Sequence, residues 1–229
     1  IKQWYPQIVA AHSYKGVLYV LPRDIAPAGL IYYNKKAFDE AHIPYPDGSW
    51  TWDFKERPEL KEKDFLWVLH QLTKKDASGK VTRYALTPWD ANGFMELFLF
   101  SQGGYYADSS EDPTKVLFDS PKMVAAHQLV ADLFNKYQWV PSPTTLSSVA
   151  QLQAEQMFSS GKSAMYMCGI WDSIKMRLED KPGSKDFFDW DIAPAPAYKD
   201  GTRAYPTGGS GYSIISTTPH LKEAWDVVR

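Results

Sequence analysis

Leu30-Ile31-Tyr32-Tyr33-Asn34-Lys35-Lys36-Ala37-Phe38 is the stretch that decides the fold class. Its first four residues form an unbroken apolar and aromatic run, which reads as a short buried strand. Asn34 follows where a side-chain oxygen can take a free helix N–H, so it is expected to cap a helix running through residue 41. A strand that passes directly into a helix is the repeating step of an α/β protein.

The same step recurs on both sides of this stretch. N-terminal to it, residues 5–14 read as a short helix and residues 16–21 as a strand stopped by Pro22. Residues 24–29 read as a loop. C-terminal to it, residues 46–49 (Pro-Asp-Gly-Ser) form a turn, and Thr51 is expected to cap a helical turn. The charged residues 55–63, with Pro58 among them, look like a surface insertion. Asp64 caps a strong helix, because Phe65, Leu66, Val68, Leu69 and Leu72 recur at helical spacing. Strands are expected at 81–86, 163–167, 190–193 and 212–215. Helices are expected at 94–100, at 121–137 with Pro121 at the first position, at 149–158, at 171–178 and from Pro219 onward. No internal repeat interrupts this alternation.

Composition removes several classes of function. The chain has 229 residues, 44% of them hydrophobic, and a formal net charge of -2. No run of about 18 apolar residues is present to cross a membrane. No basic stripe is present either, so a nucleic-acid surface is not expected. The single Cys168 cannot form an internal disulfide and sits in the apolar run Met165-Tyr166-Met167-Cys168, where it reads as a buried small hydrophobe. The five histidines are scattered without metal-ligand spacing, so neither a metal nor a cofactor is expected. The chain opens at Ile1 without a signal segment and ends inside an amphipathic pattern, so both ends are expected to be cut.

Aromatic content is high at 15%, with nine Trp and fourteen Tyr. Many of these rings lie in polar, turn-rich stretches, among them Trp50, Trp52, Trp89, Tyr105, Tyr106, Trp139, Trp171, Trp190, Tyr198, Tyr205 and Tyr212. Half-exposed rings suit a ligand with an apolar face and a rim of hydroxyls, as a sugar has. Trp67 and Trp225 fall on helical faces and read as core.

Reactive motifs are weaker. Gly208-Gly209-Ser210-Gly211 lacks the Lys-Ser/Thr of a phosphate loop and precedes a strand. It is also too short for a nucleophile elbow. Asp90, Asp172 and Asp191 each follow a Trp, which keeps a glycosidase open as a rival reading. Such an enzyme needs two carboxyl groups across one scissile bond, and no spacing here selects a pair. No catalytic residue is assigned.

Three segments, taken in order, resemble the family 1 extracellular solute-binding proteins, the maltose-binding-protein-like group that serves ABC sugar importers. The first is Gly16-Val17-Leu18-Tyr19-Val20-Leu21-Pro22, then Leu30 to Phe38, then Thr51-Trp52-Asp53. The second is Phe158-Ser159-Ser160-Gly161-Lys162-Ser163-Ala164-Met165, then Gly169-Ile170-Trp171. The third is Trp190-Asp191-Ile192-Ala193-Pro194-Ala195-Pro196, then Gly208-Gly209-Ser210-Gly211-Tyr212-Ser213-Ile214. Residues 55–63 depart from the pattern.

The resemblance implies a periplasmic-binding-protein-like two-lobe α/β fold, here truncated to mainly one lobe. Residues 1–28 would be a remnant of the first lobe and a crossing, 29–206 the second lobe, and 207–229 the second crossing and return. Segments 27–30 and 207–211 would be the crossings about which the lobes close on ligand. A mono- or oligosaccharide would be captured in the interlobe cleft and delivered to the permease subunits of the transporter. The protein would sit outside the cell or in the periplasm, held to the membrane only through a lipid anchor or the permease. Trp171 and then Trp89 are the expected stacking rings. Asp24, Asp90 and Asp172 would accept hydroxyl hydrogen bonds, and Gly208, Gly209 and Ser210 would bring backbone groups close to the ligand. A binding protein for a peptide or polyamine remains an alternative.

Overall fold

Asn34 accepts a hydrogen bond from the Ala37 N–H at 3.2 Å, so the strand–helix step is capped as the residue type requires. The computed structural model describes residues 4–149, 153–179, 188–205 and 207–228. The chain divides into two units, Ala28–Pro206 and the pair of segments Ile1–Pro27 and Thr207–Arg229.

The larger unit is built on five strands: β1 (Leu30–Asn34), β2 (Lys74–Lys75), β3 (Val81–Pro88), β4 (Ser163–Cys168) and β5 (Trp190–Pro194). Their spatial order is β5-β1-β4-β3-β2. Only β3 and β4 run parallel, and β1 is antiparallel to both β4 and β5. Helices α1 (Lys35–Ala41), α2 (Phe65–Leu72), α3 (Ala91–Ser101), α4 (Pro121–Ala131), α5 (Pro143–Val149), α6 (Ala154–Ser159) and α7 (Asp172–Glu179) complete it.

Side chains alternate across the sheet, and each face has its own core. Ile31, Tyr33, Leu86, Met165 and Met167 face the main cluster, where α2 contributes Phe65, Leu66, Val68, Leu69 and Leu72. Tyr32, Tyr166 and Cys168 point the other way, against Ala154 and Phe158 of α6 and Met176 of α7. A strand buried on both faces needs a continuous apolar run, which 163–168 and 30–33 supply.

Several local expectations change. Thr51 does not cap a helix. With Trp52 it forms a two-residue strand, parallel to Ala197–Tyr198. Its Oγ1 takes a hydrogen bond from Arg57 at 3.0 Å. The 55–63 stretch lies at the surface as expected but is anchored, because Arg57 reaches the fully buried Asp64 at 2.6 Å while Asp64 caps α2 through the Trp67 N–H. The helix expected to reach residue 137 gives way at Asp132–Lys136 to a π-helical turn. The 149–158 expectation resolves into α5 and α6, with 150–152 outside the described residues. Trp50, Trp52 and Trp139 are core residues, each less than a tenth exposed.

In the smaller unit, a helix (Pro6–Ala11) leads into a hairpin of Ser13–Tyr14 and Val17–Leu18. Ala26–Pro27 pairs with Thr207–Gly208, and Leu21–Pro22 with Gly211–Tyr212. The strand expected at 212–215 is therefore shorter. The last helix, Leu221–Val228, buries none of its residues, and Trp225 is exposed rather than core. Trp67 packs half-buried against the main cluster, as its helical position predicts.

Candidate ligand-binding site

The parallel pairing of β3 with β4 sets Pro88 opposite Met167, so both strands end at one edge of the sheet. Their next residues emerge side by side. Trp89 extends the ladder by donating its N–H to the Met167 carbonyl at 2.8 Å. Trp171 follows β4 by three residues. The two indoles meet edge to face, with centroids 6.0 Å apart at 76°. They remain 57% and 40% exposed, whereas Trp50, Trp52 and Trp139 are buried. An edge-to-face pair left half in water presents fixed π-faces to a ligand.

Each tryptophan is followed by an aspartate that opens a helix. Asp90 accepts the Gly93 N–H at 2.7 Å and caps α3. Asp172 begins α7 and takes the Tyr166 hydroxyl at 2.7 Å and the Cys168 thiol at 3.4 Å on Oδ2. Burial pushes the Cys168 thiol up to about 12, and the Asp172 charge adds to that shift. Tyr166 is likewise held protonated, first by burial and then by its bond to Asp172. Two strand ends and two helix starts thus meet where open α/β sheets commonly take their ligands.

A second layer fixes the loop between β4 and α7. The Tyr32 hydroxyl donates to the Gly169 carbonyl at 2.8 Å. The Trp171 indole lies so close over Gly169 that a Cβ there would come within 1.9 Å of its Cζ3. Beside Trp89 a cavity of about 450 Å³ opens, lined by Asp90, Phe134, Pro141, Leu146 and Gln153 among others. Tyr205 covers Gly29, whose φ of +75° and lack of a Cβ admit the ring. Burial, then the Asp90 charge, holds the Tyr205 hydroxyl protonated.

The other four expected site residues gather in the smaller unit. Asp24 accepts the Ser210 N–H at 3.0 Å and the Ser210 hydroxyl at 2.8 Å. Arg23 donates to the same carboxylate at 2.7 Å. The Ser210 hydroxyl and then Arg23 hold the Asp24 carboxyl below its ordinary value. Gly208 pairs with Ala26, and a Cβ on Gly209 would press on Ile8 and the Asp24 carbonyl. Asp24 therefore ties two chain segments together.

Sequence reasoning missed Tyr32, Tyr166 and Gly169. The two tyrosines were legible only as strand residues, and the pairing of Tyr32 with Tyr166 is a long-range fact. The Gly-x-Trp spacing was the one available signal for Gly169.

The fold is mixed α/β, of the periplasmic-binding-protein type. The chain belongs to the family of bacterial extracellular solute-binding proteins, whose model matches residues 1–229. Among solved structures it is similar to the ABC substrate-binding protein Lmo0181 from Listeria monocytogenes in complex with cycloalternan. That match has 24% identity and a TM-score of 0.77, and covers 99% of this chain and 51% of that one. It is also similar to maltose-bound MalE3 of T. maritima, with 23% identity, a TM-score of 0.69, and 99% and 53% coverage. UgpB from Mycobacterium tuberculosis in complex with glycerophosphocholine matches at 18% identity and a TM-score of 0.68, with 99% and 50% coverage. The chain spans about half the length of these solved chains. No curated protein matches it.

Proposed function

We propose that this chain is part of the substrate receptor of a bacterial ABC importer, binding a mono- or oligosaccharide and delivering it to the membrane permease. Residues 29–206 are the second lobe, and residues 1–28 and 207–229 belong to the first lobe and the crossings. The observation that carries this reading is the exposed Trp89–Trp171 pair at the shared end of two parallel strands. Pyranose C–H faces stack on such rings, and the neighbouring carboxylates accept the equatorial hydroxyls.

The aspartates support binding rather than turnover. Asp90 is engaged with a helix N-terminus and Asp172 with a buried tyrosine hydroxyl, both roles of a hydrogen-bond acceptor. Asp191 lies on β5 and accepts its neighbour Ile192's N–H. Cycloalternan and maltose on two similar structures favour a carbohydrate. No helix of the described residues is long and apolar enough to cross a membrane, and attachment through a lipid anchor is part of the proposal.

One alternative has a specific observation behind it, since an aromatic pair also takes a quaternary ammonium by cation–π attraction and a similar structure carries glycerophosphocholine. The test is calorimetry and tryptophan fluorescence on the whole protein. The titrants are mono- and oligosaccharides, with glycerophosphocholine alongside. Saccharide binding that falls about tenfold or more in Trp171→Ala and Trp89→Ala is expected. Silence across the saccharides, or binding indifferent to both substitutions, would sink the reading.

A further inference from the structure

Helix α3 has two flanks, and only one faces the cavity beside Trp89. Asp90 and Ala91 line that cavity, whereas Asn92, Met95 and Glu96 line a second and larger groove of about 750 Å³. The opposite wall repeats the arrangement. Ala131, at the end of α4, lines the second groove, and Phe134, three residues on, lines the first. The linings of the two hollows are thus neighbours along the chain, at Ala91 and Asn92 on α3 and at Ala131 and Phe134 past the end of α4. Electrostatics agrees with that proximity. The hydroxyl of Tyr106, in the second groove, is held protonated by burial, by Glu96 and by the Asp90 charge of the first.

The second groove has an apolar floor and an acceptor-rich rim. Met95 is buried beneath it, and the Tyr106 ring stands edge-on to Phe118 at 5.8 Å. Phe118 is 63% exposed and offers a ring face to solvent. Tyr106 donates to one oxygen of Glu96 at 2.7 Å, leaving the other without a partner among the described residues. His127 Nδ1 bonds the Met123 carbonyl at 3.0 Å. A carbonyl only accepts, so Nδ1 carries the hydrogen, and in the neutral ring Nε2 is an acceptor. Gln128 donates its amide NH₂ to Asp132 at 2.8 Å and keeps its carbonyl oxygen for a ligand. Apolar floor, free ring face and several acceptors complement a ring with one C–H face and many O–H donors.

We propose that the groove between α3, α4 and residues 105–118 is a second saccharide subsite, taking further rings of a carbohydrate chain whose first ring sits at Trp89 and Trp171. The proposal rests on the carbohydrate reading above and narrows it from sugars in general to chains of several rings.

The test measures affinity against chain length. The whole protein is titrated with one- to five-ring members of the α-1,4-glucan, β-1,4-glucan, β-1,4-galactan and β-1,4-xylan series, and with spermidine, whose ammonium groups would also satisfy the acceptors. Expected is an affinity that rises with length in one series. Phe118→Ala and Glu96→Gln each erase that rise and cut three- to five-ring affinity about tenfold, while Trp171→Ala weakens every length. Phe118 is exposed, so its substitution leaves folding intact, which circular dichroism checks. A length dependence that survives both substitutions, or none in the parent protein, overturns the second subsite while the first reading stands on Trp171→Ala. Binding of spermidine alone through Glu96 overturns it in favour of an amine site. Failure of every saccharide overturns both readings together.

Discussion

The Trp171 indole is folded back over Gly169, leaving no room for even a methyl group between them. Gly169→Ala therefore forces one of two movements, a shift of the loop or an outward swing of the ring. The ring is the softer part, because it is 40% exposed and packs edge-on against Trp89 alone among the described aromatic residues. We expect G169A to retain stability within about 1 kcal/mol and to lose about tenfold or more in saccharide affinity. Denaturant melts and calorimetry measure the two effects separately. An affinity equal to that of the parent protein would show that the pose of the ring is immaterial.

Tyr166 supplies the buried donor to Asp172, and its removal leaves the carboxylate with the weaker thiol. Tyr166→Phe is expected to cost about 1.5–3 kcal/mol, the range for a hydrogen bond to a charged group. Cys168 reports on the same spot. With its thiol buried and its pKa pushed up to about 12, it stays unreactive to a thiol reagent at pH 8 until the protein unfolds. Labelling in the native state at the rate of free cysteine would contradict that environment.

Arg57 and Asp64 form the buried ion pair beneath α2. Removing one partner strands the other, so Arg57→Ala should destabilise by about 3 kcal/mol at pH 7. Burial raises the Asp64 pKa even with Arg57 in place. A raised carboxyl stabilises the fold fully below its unfolded value, and that contribution disappears as pH climbs through the folded value. The deficit of R57A should accordingly shrink toward pH 4. Urea titrations of both proteins at the two pH values decide this, and an equal deficit at both would refute it.

Asp108 ties residues 106–117 into a hairpin by accepting from the Thr114 hydroxyl and from the N–H groups of Thr114 and Lys115. These bonds, led by the Thr114 hydroxyl, lower its carboxyl to about 2. A depressed carboxyl contributes above its unfolded value and stops contributing as pH falls through the folded one. Amide protection in the hairpin should hold at pH 5 and decline between about pH 4 and 2, and Asp108→Asn should show the loosened pattern at neutral pH. Hydrogen exchange resolved by residue measures it, and protection unaltered in the variant would count against the staple.

What the sequence made legible was local. Asn34 and Asp64 declared their caps because capping needs a side chain only three residues away. The run 163–167 declared a strand because both of its faces are covered, and the strand runs one residue further, to Cys168. Trp89 and Trp171 stood out as candidate binding rings through their neighbours in the chain and the family resemblance, and the structure sets the two half-exposed side by side. The pairing of Pro88 with Met167 stayed hidden, since it joins segments 79 residues apart that share no motif. Trp50, Trp52 and Trp139 misled for the opposite reason. Polar neighbours made them look like loop rings, but the indole N–H of Trp52 finds Ser101 at 3.1 Å and lets the ring sink into the core.

Positions 89 and 171 stand just past the last rungs of the β3–β4 ladder, so neither side chain supports the sheet itself. Under the proposed function, such a layout decouples selectivity from architecture. Rings of other shapes can be exchanged at these two places while the strands beneath them, and the caps that follow, keep their own interactions. Under the proposed function, one scaffold could thereby be retuned to other ligands by changes at its tips.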